Sequence, residues 1–287
     1  MNHQVPFQQI DVFTNVPFKG NPVAVVLDGN ELSTKEMQAI ANWTNLSETT
    51  FVCTPTDPRA DYKLRIFTPN SELPFAGHPT IGSAFAVLQH GNKPKTEGYL
   101  IQECGVGLVS ILIDEDKLFL TLPEPNVQHI HSAELVELAI ALGVPSHSVK
   151  ASATIDVGAV WITLQLTNAH EVRSLRPDMA KLSTLIPSGV TGVTIFGLDF
   201  GNTTSNLEVR SFAPTEGIDE DPVCGSGNGC VATLIKKLEL IKESNYIASQ
   251  GYSVGRNGRV EVRFQNNGKI LIGGYAVSCI EGMLSTK

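Results

Sequence analysis

Alternation of apolar and polar residues dominates the chain and predicts a protein built mostly from β-strands. Short runs rich in Val, Ile, Phe and Thr are separated by Gly, Pro, Asn or Asp, which is the pattern of antiparallel sheet. In the first half the runs are FQQIDVF, NPVAVVLD, TTFVC, YKLRIFT, YLIQEC, GLVSILI and KLFLTLP, and in the second they are VWITLQL, GVTIFGLD, LEVRSFAP, RVEVRF and KILIGGYAV. The predicted fold class is therefore α+β with antiparallel sheets.

Several segments depart from this alternation and predict helices. Ser33 followed by Glu36 is a capping box ahead of MQAIANW, and another helix is predicted from about Ser132 in AELVELAIALG. HPTIGSAFAVLQHG and SGNGCVATLIKKL carry Gly, Ala and Ser among apolar residues on most sides, which predicts buried helices. Two closed or nearly closed antiparallel sheets, each wrapped around one such central helix, fit this pattern.

A weak internal repeat divides the chain into two similar halves. RIFTPNSELPFAGHPTIGSAFAVL begins at Arg65, and RSFAPTEGIDEDPVCGSGNGCVATLI begins at Arg210. Arg, Phe and Pro recur at one spacing, and Pro, Gly and Ala recur at another after a small insertion. Between the halves, TLPEPNVQHIHS at 121–132 is rich in Pro and polar residues. We therefore predict an N-terminal domain over 1–122 and a second domain from 123.

Composition narrows the class of protein. Of 287 residues, 42% are hydrophobic and 17% are charged, with a formal net charge of −8, which is typical of a soluble globular protein. The acidic balance without a basic cluster argues against nucleic-acid binding. No apolar run approaches the length of a membrane span, and the first residues lack the pattern of a signal peptide. Five widely spaced cysteines without a C-x-x-C pair predict free thiols in a reducing cytoplasm.

Two loop–helix junctions are the strongest candidates for an anion site. Gly77 and Gly225 stand at or just before the two predicted buried helices, where unpaired N–H groups and the helix dipole attract anions. Pro79 fits the first helical turn, where its missing donor costs little. Two such junctions facing each other would hold a substrate with one or two carboxylates. The structural alternative is an ordinary glycine-containing helix start.

Three side chains near these junctions could carry acid–base chemistry. His78 either handles a proton near neutral pH or caps the first helix. Asp221 is either a second carboxyl group of the site or a turn residue before Pro222. Glu48, in NLSETTFV, either points to solvent or faces inward, where burial would raise its pKa toward the range of a base working near neutral pH.

Cys224 is either a reactive thiol or a residue of the binding cradle. A helix N-terminus would lower the pKa of its thiol. Cofactor-free racemases can use two such thiols on opposite faces of a carbon acid. The aligned position in the first half is Ala76, so inversion by two thiols is excluded, whereas a pair of Glu48 and Cys224 stays open. We expect Cys224 to belong to the binding cradle.

The remaining motifs give no support for a metal or a cofactor. His129 and His131 could start a metal site, but no neighbouring Cys or carboxylate pattern completes it, so we predict an exposed linker. Ser226 is flanked directly by glycines, unlike the nucleophile of a hydrolase elbow. The glycine-rich nucleotide-binding patterns are absent from the sequence. The motifs therefore give no positive support for a metal site or for nucleotide binding.

Four motifs in order resemble those of the phenazine-biosynthesis PhzF family of isomerase-like proteins, relatives of diaminopimelate epimerase. They are FTNVPFKGNPVAVV, NLSETTF, RIFTPNSELPFAGHPTIGSA and EDPVCGSGNG, and they span nearly the whole chain. The resemblance implies the diaminopimelate epimerase-like fold, with two pseudo-symmetric antiparallel β-barrel-like domains, each around a central helix, and the active site in the cleft between them. It also implies a C-terminal domain over 123–276, a last strand at about 277–287 that returns to the first domain, and a homodimer without cofactor.

The resemblance also assigns roles by position. Glu48 matches the family's catalytic acid/base. Ala76 and Cys224 stand where the epimerase branch has its two cysteines, and Cys224 replaces a Thr of the phenazine enzyme, which leaves the substrate open. The substrate-binding set comprises Ser47, Gly77, His78, Asp221, Gly225 and Ser226.

The sequence thus predicts a cytoplasmic, cofactor-independent isomerase similar to trans-2,3-dihydro-3-hydroxyanthranilate isomerase. Glu48 would move a proton along one face of a small carboxylate-bearing substrate. Neither a nucleic acid nor a membrane is expected as a partner. Two alternatives stay open: an amino-acid racemase or epimerase that uses Glu48 and Cys224, and a non-enzymatic binding protein on the same fold.

Overall fold

The computed structural model describes residues 4–199, 201 and 204–286 of the chain. The chain forms two compact units, of which the first runs to Thr121 and resumes at Gly273, and the second is Leu122–Ile272. The second boundary lies earlier than the sequence analysis placed it.

The first unit contains two helices among its strands. Its helices are α1 (Thr34–Thr44) and α2 (Gly77–Gln89). Its strands are β1 (Gln4–Val12), β2 (Asn21–Val26), β3 (Thr49–Cys53), β4 (Tyr62–Phe67), β5 (Glu72–Leu73), β6 (Tyr99–Cys104), β7 (Gly107–Asp114) and β8 (Lys117–Thr121). The capping box predicted at Ser33 and Glu36 is present at the start of α1.

The second unit repeats this alternation with more helix. Its helices are α3 (Ser132–Leu142), α4 (Ala169–Ser174), α5 (Met179–Leu185) and α6 (Gly225–Leu238). Its strands are β9 (Asn126–Gln128), β10 (Ala151–Asp156), β11 (Val160–Gln165), β12 (Gly192–Leu198), β13 (Leu207–Ala213), β14 (Ile218–Asp221), β15 (Asn245–Gln250) and β16 (Gly258–Phe264). Strand β17 (Ile270–Gly274) begins in this unit, and its last two residues belong to the first unit. The last strand, β18 (Ala276–Ser285), pairs with β1 in the first unit.

The sheets are mixed, so the prediction of purely antiparallel sheets is wrong at four pairs of strands. In the first unit β2 runs parallel to β3 and β4 runs parallel to β6. In the second unit β11 runs parallel to β12 and β13 runs parallel to β15. At least one helix lies between the members of each pair, because a parallel connection needs a crossover that a tight turn cannot supply. The two units therefore share one order of strands and crossovers.

The two helices predicted to be buried lie at the centre of their units. α2 packs against β1, β2 and β8, and α6 packs against β10, β11, β12 and β16. Glycine permits the close approach in α2, since a Cβ at Gly82 would lie 2.4 Å from Val23 Cγ1. All five cysteines have free thiols, as predicted. Within the described ranges, each helix is too short or too polar to cross a bilayer.

Candidate active site

Glu48 lies at the end of the connection from α1 to β3. The chain turns there because Asn45, the C-cap of α1, adopts a left-handed conformation with φ 53°. The Glu48 carbonyl then accepts a hydrogen bond from the Ala24 N–H at 3.4 Å, which ties the residue to β2. Its side chain is 15% exposed, so of the two alternatives the inward orientation is the one found. Ser47, just before it, is half-buried.

His78 lies beside this carboxylate, in the first turn of α2. Its Nδ1 is 3.4 Å from Glu48 Oε2, and the side chain is 7% exposed. Burial lowers the pKa of His78 to about 4, while a hydrogen bond to the backbone of Pro22 acts in the opposite direction. The imidazole is therefore neutral at pH 7. Of the two alternatives for His78, capping is not found, since α2 has no side-chain cap, and a resting imidazolium is disfavoured because desolvation outweighs the hydrogen bond.

The N-terminus of α2 offers backbone donors to a ligand. Ala76 is the N-cap and makes no side-chain cap, and Pro79 at the third helical position has no N–H. The N–H groups of Gly77 and His78 consequently point out of the helix without an acceptor in the described ranges. This turn combines two free amide donors with the positive end of the helix dipole, which suits a carboxylate.

Cys224 is the N-cap of α6 in the second unit. Its Sγ accepts a hydrogen bond from the Gly227 N–H at 3.2 Å and lies 3.6 Å from Ser226 Oγ. The residue is 4% exposed, and burial together with the nearby Asp221 carboxyl raises the pKa of the thiol well above its usual value. The expected lowering of this pKa is therefore wrong. Desolvation is the largest cause of this shift, because burial disfavours the charged thiolate.

Ser226 and Gly225 form the rest of this second helix start. The indole Nε1 of Trp161 donates to Ser226 Oγ at 2.9 Å, which orients the hydroxyl. The N–H groups of Gly225 and Ser226 have no acceptor in the part of the chain that the structure describes. Sequence reasoning missed Trp161, because only the fold brings β11 next to the start of α6. A second pair of amide donors thus occurs in the second unit.

Asp221 is both a turn residue and a half-buried carboxyl group, so the two alternatives for it are not exclusive. Its Oδ1 accepts a hydrogen bond from the Val223 N–H at 3.0 Å, and burial raises its pKa to about 6. Gln250, which the sequence analysis also missed, donates from Nε2 to the Asp221 carbonyl at 3.0 Å. The same side chain accepts from the Cys224 N–H at 3.1 Å, so it holds both residues in place.

The predicted residues thus fall into two groups, one in each unit. Glu48, Gly77 and His78 come together in the first. His129 and His131 lie outside both groups, as exposed residues with ring centroids 6.4 Å apart. Among the described residues, no group of three or more His, Cys, Asp or Glu side chains is arranged to hold a metal ion.

Comparison with known proteins places the whole chain in one family. A model of the PhzC-PhzF family, described as phenazine biosynthesis-like protein, matches residues 10–282. Antisense-enhancing sequence 1 of Schizosaccharomyces pombe is 44% identical over 96% of this chain and 97% of its own. Trans-2,3-dihydro-3-hydroxyanthranilate isomerase of Pseudomonas aeruginosa is 30% identical over 91% of this chain and 90% of its own. Further relatives carry the name isomerase without a stated substrate.

Solved structures agree with this assignment. A PhzF-family phenazine biosynthesis protein of Bacillus anthracis has a TM-score of 0.86 at 24% identity, over 98% of this chain and 99% of that one. A hydroxyproline epimerase from Agrobacterium vitis has a TM-score of 0.64 at 13% identity, over 99% and 94%, and shares the fold. The fold is therefore the diaminopimelate epimerase-like fold that the motifs implied, and the chain belongs to the PhzC-PhzF family of phenazine biosynthesis-like proteins.

Proposed function

We propose that the protein is a cofactor-independent isomerase that moves a proton within a small carboxylate-bearing molecule, with Glu48 as the acid/base. Glu48 takes the proton from a carbon next to an activating group and returns it elsewhere on the same face. A single base suits transfer along one face, whereas inversion needs a base on each face. Dimerisation is an expectation that the family resemblance adds, and a cytoplasmic location is an expectation from the cysteine pattern.

One observation carries the proposal: the Glu48 carboxylate is largely buried next to a neutral imidazole. Its Oε2 lies 3.4 Å from His78 Nδ1, and the pKa of His78 is lowered to about 4. A charged imidazolium would hold the carboxylate as an anion in a permanent ion pair. A neutral ring does not lock the carboxylate in the anionic state, which suits a group that must take up and return a proton.

The helix start next to Glu48 supplies the complementary part. The N–H groups of Gly77 and His78 point out of α2 and have no acceptor among the described residues. Removing a proton next to a carbonyl or a double bond leaves negative charge on the substrate. Amide donors that are already oriented stabilise such charge without reorganisation. Gly225 and Ser226 offer the same kind of donors in the second unit and are proposed to bind a carboxylate.

The names of relatives support the reaction class unevenly. The Pseudomonas aeruginosa relative is named for an isomerase reaction, whereas the name of the more similar Schizosaccharomyces pombe relative states no chemistry. The compound trans-2,3-dihydro-3-hydroxyanthranilate is therefore the first probe of the reaction. A second base at Cys224 has little support, since burial raises the pKa of that thiol well above its usual value.

The test is isomerisation of this probe in D₂O, followed by NMR. We expect the wild type to turn over the probe with deuterium entering the product, and Glu48→Gln to lower the rate by about 10²- to 10⁴-fold, the range for removal of a general acid or base. Glu97→Gln, which changes an exposed carboxylate in the same unit, is the matched control and should keep the wild-type rate.

Three results would count against the proposal. An unchanged rate in Glu48→Gln would remove Glu48 from the chemistry. A wild type that leaves the probe intact and takes up no deuterium into it would exclude this substrate and favour the binding-protein alternative. Inversion of a stereocentre that is abolished in Cys224→Ala would favour the racemase alternative instead.

A further inference from the structure

Trp161 connects the middle of the second unit to the start of α6. Its indole Nε1 donates a hydrogen bond to Ser226 Oγ at 2.9 Å, and the residue is 2% exposed. An indole N–H can only donate, so the serine oxygen accepts in this bond. A buried N–H that loses its acceptor is costly, which favours this bond whenever the ring stays in place.

The pairing of β11 with β12 keeps the ring in place. Trp161 lies opposite Gly192 in the parallel register of these two strands. A Cβ at Gly192 would lie 2.8 Å from Trp161 Cζ3, which is too close for a side chain, so glycine is what admits the indole there. The ring therefore rests on backbone, and its N–H is directed to a fixed point.

The hydroxyl of Ser226 has a proton left to donate. A serine hydroxyl offers one proton and two lone pairs, and the indole of Trp161 occupies a lone pair. Cys224 Sγ lies 3.6 Å from Ser226 Oγ, and this sulfur already accepts from the Gly227 N–H at 3.2 Å. Sulfur is a weak acceptor and Ser226 is half-buried, so an oxygen of a bound ligand would take this proton in preference.

We propose that Trp161 is a positioning residue that commits the Ser226 hydroxyl to donate to a ligand. The O–H then joins the N–H groups of Gly225 and Ser226, which have no acceptor among the described residues. Groups that all donate favour a carboxylate, whose oxygens only accept, over a carboxamide, which brings N–H groups of its own. The inference rests on the proposed function, because Ser226 belongs to the carboxylate site proposed there.

The first test needs no ligand and uses NMR of the full chain labelled at tryptophan and serine. The chain has two tryptophans, and Trp43 is 79% exposed, so Trp43→Phe assigns the indole signals. We expect the Trp161 indole N–H to exchange slowly with solvent in the wild type, and to shift and exchange faster in Ser226→Ala. The Ser226 Hα–Hβ couplings should be those of one χ1 rotamer in the wild type and averaged in Trp161→Phe.

The second test measures the binding of acetate, with acetamide as the neutral probe, through the amide signals of residues 225 and 226. The wild type should bind acetate more tightly than acetamide. Trp161→Phe should weaken acetate binding about three- to tenfold, the effect of one hydrogen bond. Once Ser226→Ala has removed the hydroxyl, adding Trp161→Phe should change acetate affinity by less than about twofold, because the two side chains act together.

Leu164→Val is the matched control for the loss of packing. Leu164 is fully buried in β11, on the face opposite Trp161 because side chains alternate along a strand. This variant also removes part of a buried side chain, but it should leave the Ser226 couplings and the acetate affinity as in the wild type. The same averaged couplings in Leu164→Val as in Trp161→Phe would reduce Trp161 to general support of the unit.

Three further results would overturn the proposal: a Trp161 indole signal that Ser226→Ala leaves unchanged, a single Ser226 rotamer in Trp161→Phe, and a wild type that does not bind acetate. If Trp161→Phe does not fold, the indole signal in the wild type and in Ser226→Ala still decides. A protein that binds acetate as expected but leaves the isomerase probe intact would refute the proposed reaction while this inference stands.

Discussion

The two units place different chemistry on the same order of strands and helices. Phe67 and Phe212 occupy aligned positions of the sequence repeat, in β4 and β13. Strand pairing puts Glu48 just before the partner of Phe67 and Gly192 just before the partner of Phe212. The glycine of the second unit thus corresponds to the proposed acid/base of the first.

The starts of the two central helices also carry different side chains. The repeat aligns His78 of the first unit with Ser226 of the second. His78 lies beside the Glu48 carboxylate, whereas Ser226 accepts a hydrogen bond from Trp161. A Cβ at Gly192 would lie 2.8 Å from the Trp161 ring, so an indole occupies the space next to this backbone. Both units have a helix start whose first N–H groups lack an acceptor among the described residues, while the carboxylate at this position occurs in the first unit alone. The shared order of strands and helices therefore does not place the same side chains in both units.

A third difference concerns an Arg–Glu pair that recurs before each central helix. Arg65 bonds Glu72 through Nε and Nη2 at 2.7 Å each, and Arg210 bonds Glu220 at 2.9 and 2.7 Å. The side chains are 23% and 39% exposed in the first pair but 6% and 9% exposed in the second. Ion pairs near water contribute little, whereas breaking a buried pair leaves an uncompensated charge.

The largest expected effect separates these two pairs. Arg210→Met should lower the free energy of unfolding by about 3–5 kcal/mol, because it leaves the Glu220 carboxylate buried without its partner. Arg65→Met should cost about 0–1 kcal/mol, because solvent reaches Glu72. Urea unfolding of both variants measures the difference. Equal losses would show that the two pairs do not differ in the way their exposure indicates.

Acidification should change the stability of the fold in opposite directions through one titratable group in each unit. The pKa of His78 is lowered from 6.5 to about 4, so the unfolded chain binds a proton first and His78 destabilises the fold as pH falls through that window. The pKa of Asp221 is raised from 3.8 to about 6, so the folded chain binds a proton first and Asp221 destabilises the fold as pH rises through its window. Each change amounts to at most about 3 kcal/mol at about 1.4 kcal/mol per pH unit.

Single variants separate these two contributions. Relative to the wild type, His78→Gln should gain stability as pH falls from 6.5 to 4. Asp221→Asn should gain relative stability as pH rises from 3.8 to 6. Denaturant unfolding at a series of pH values measures both, and the same direction in both variants would contradict the contrast between the units.

Gly192→Ala probes whether the second unit can accept a side chain at the position of Glu48. The new Cβ would lie 2.1 Å from the Phe212 carbonyl oxygen, which is backbone and cannot move freely. We expect a loss of about 1–3 kcal/mol, typical of overpacking. Thermal unfolding measures this loss, and wild-type stability would show that a side chain fits there. Gly201→Ala is the control, because its Cβ meets no atom within 4 Å.

The smallest expected effect concerns the two N-caps. Cys224→Ala removes the acceptor for the Gly227 N–H and should cost about 1 kcal/mol. Ala76→Ser adds a cap that can reach the His78 N–H, since Pro79 has none, and should stabilise the fold by about 0.5 kcal/mol. If that N–H serves a substrate carboxylate, Ala76→Ser should raise KM in the isomerase assay. Unchanged KM would argue that the amide is not used.

Much of the scaffold was predictable because its signals are local. The helix starts at Gly77 and Gly225 and the capping box at Ser33 follow from turn and capping chemistry within a few residues. β10 and β15 were missed because ASATID and NYIASQ carry weak alternation. The parallel pairs were missed because strand direction depends on where a crossover helix returns the chain, and a strand's own residues do not show this.

By itself, the sequence determined the family, the repeat and the residues from which a site can be built, since motif order and local backbone preferences are properties of the chain. Only the tertiary structure decided the protonation of those residues. His78 is neutral and the Cys224 thiol holds its proton, contrary to expectation, because both side chains are removed from water. Desolvation is the sum over all atoms packed around a group, and those atoms come from strands distant in the chain.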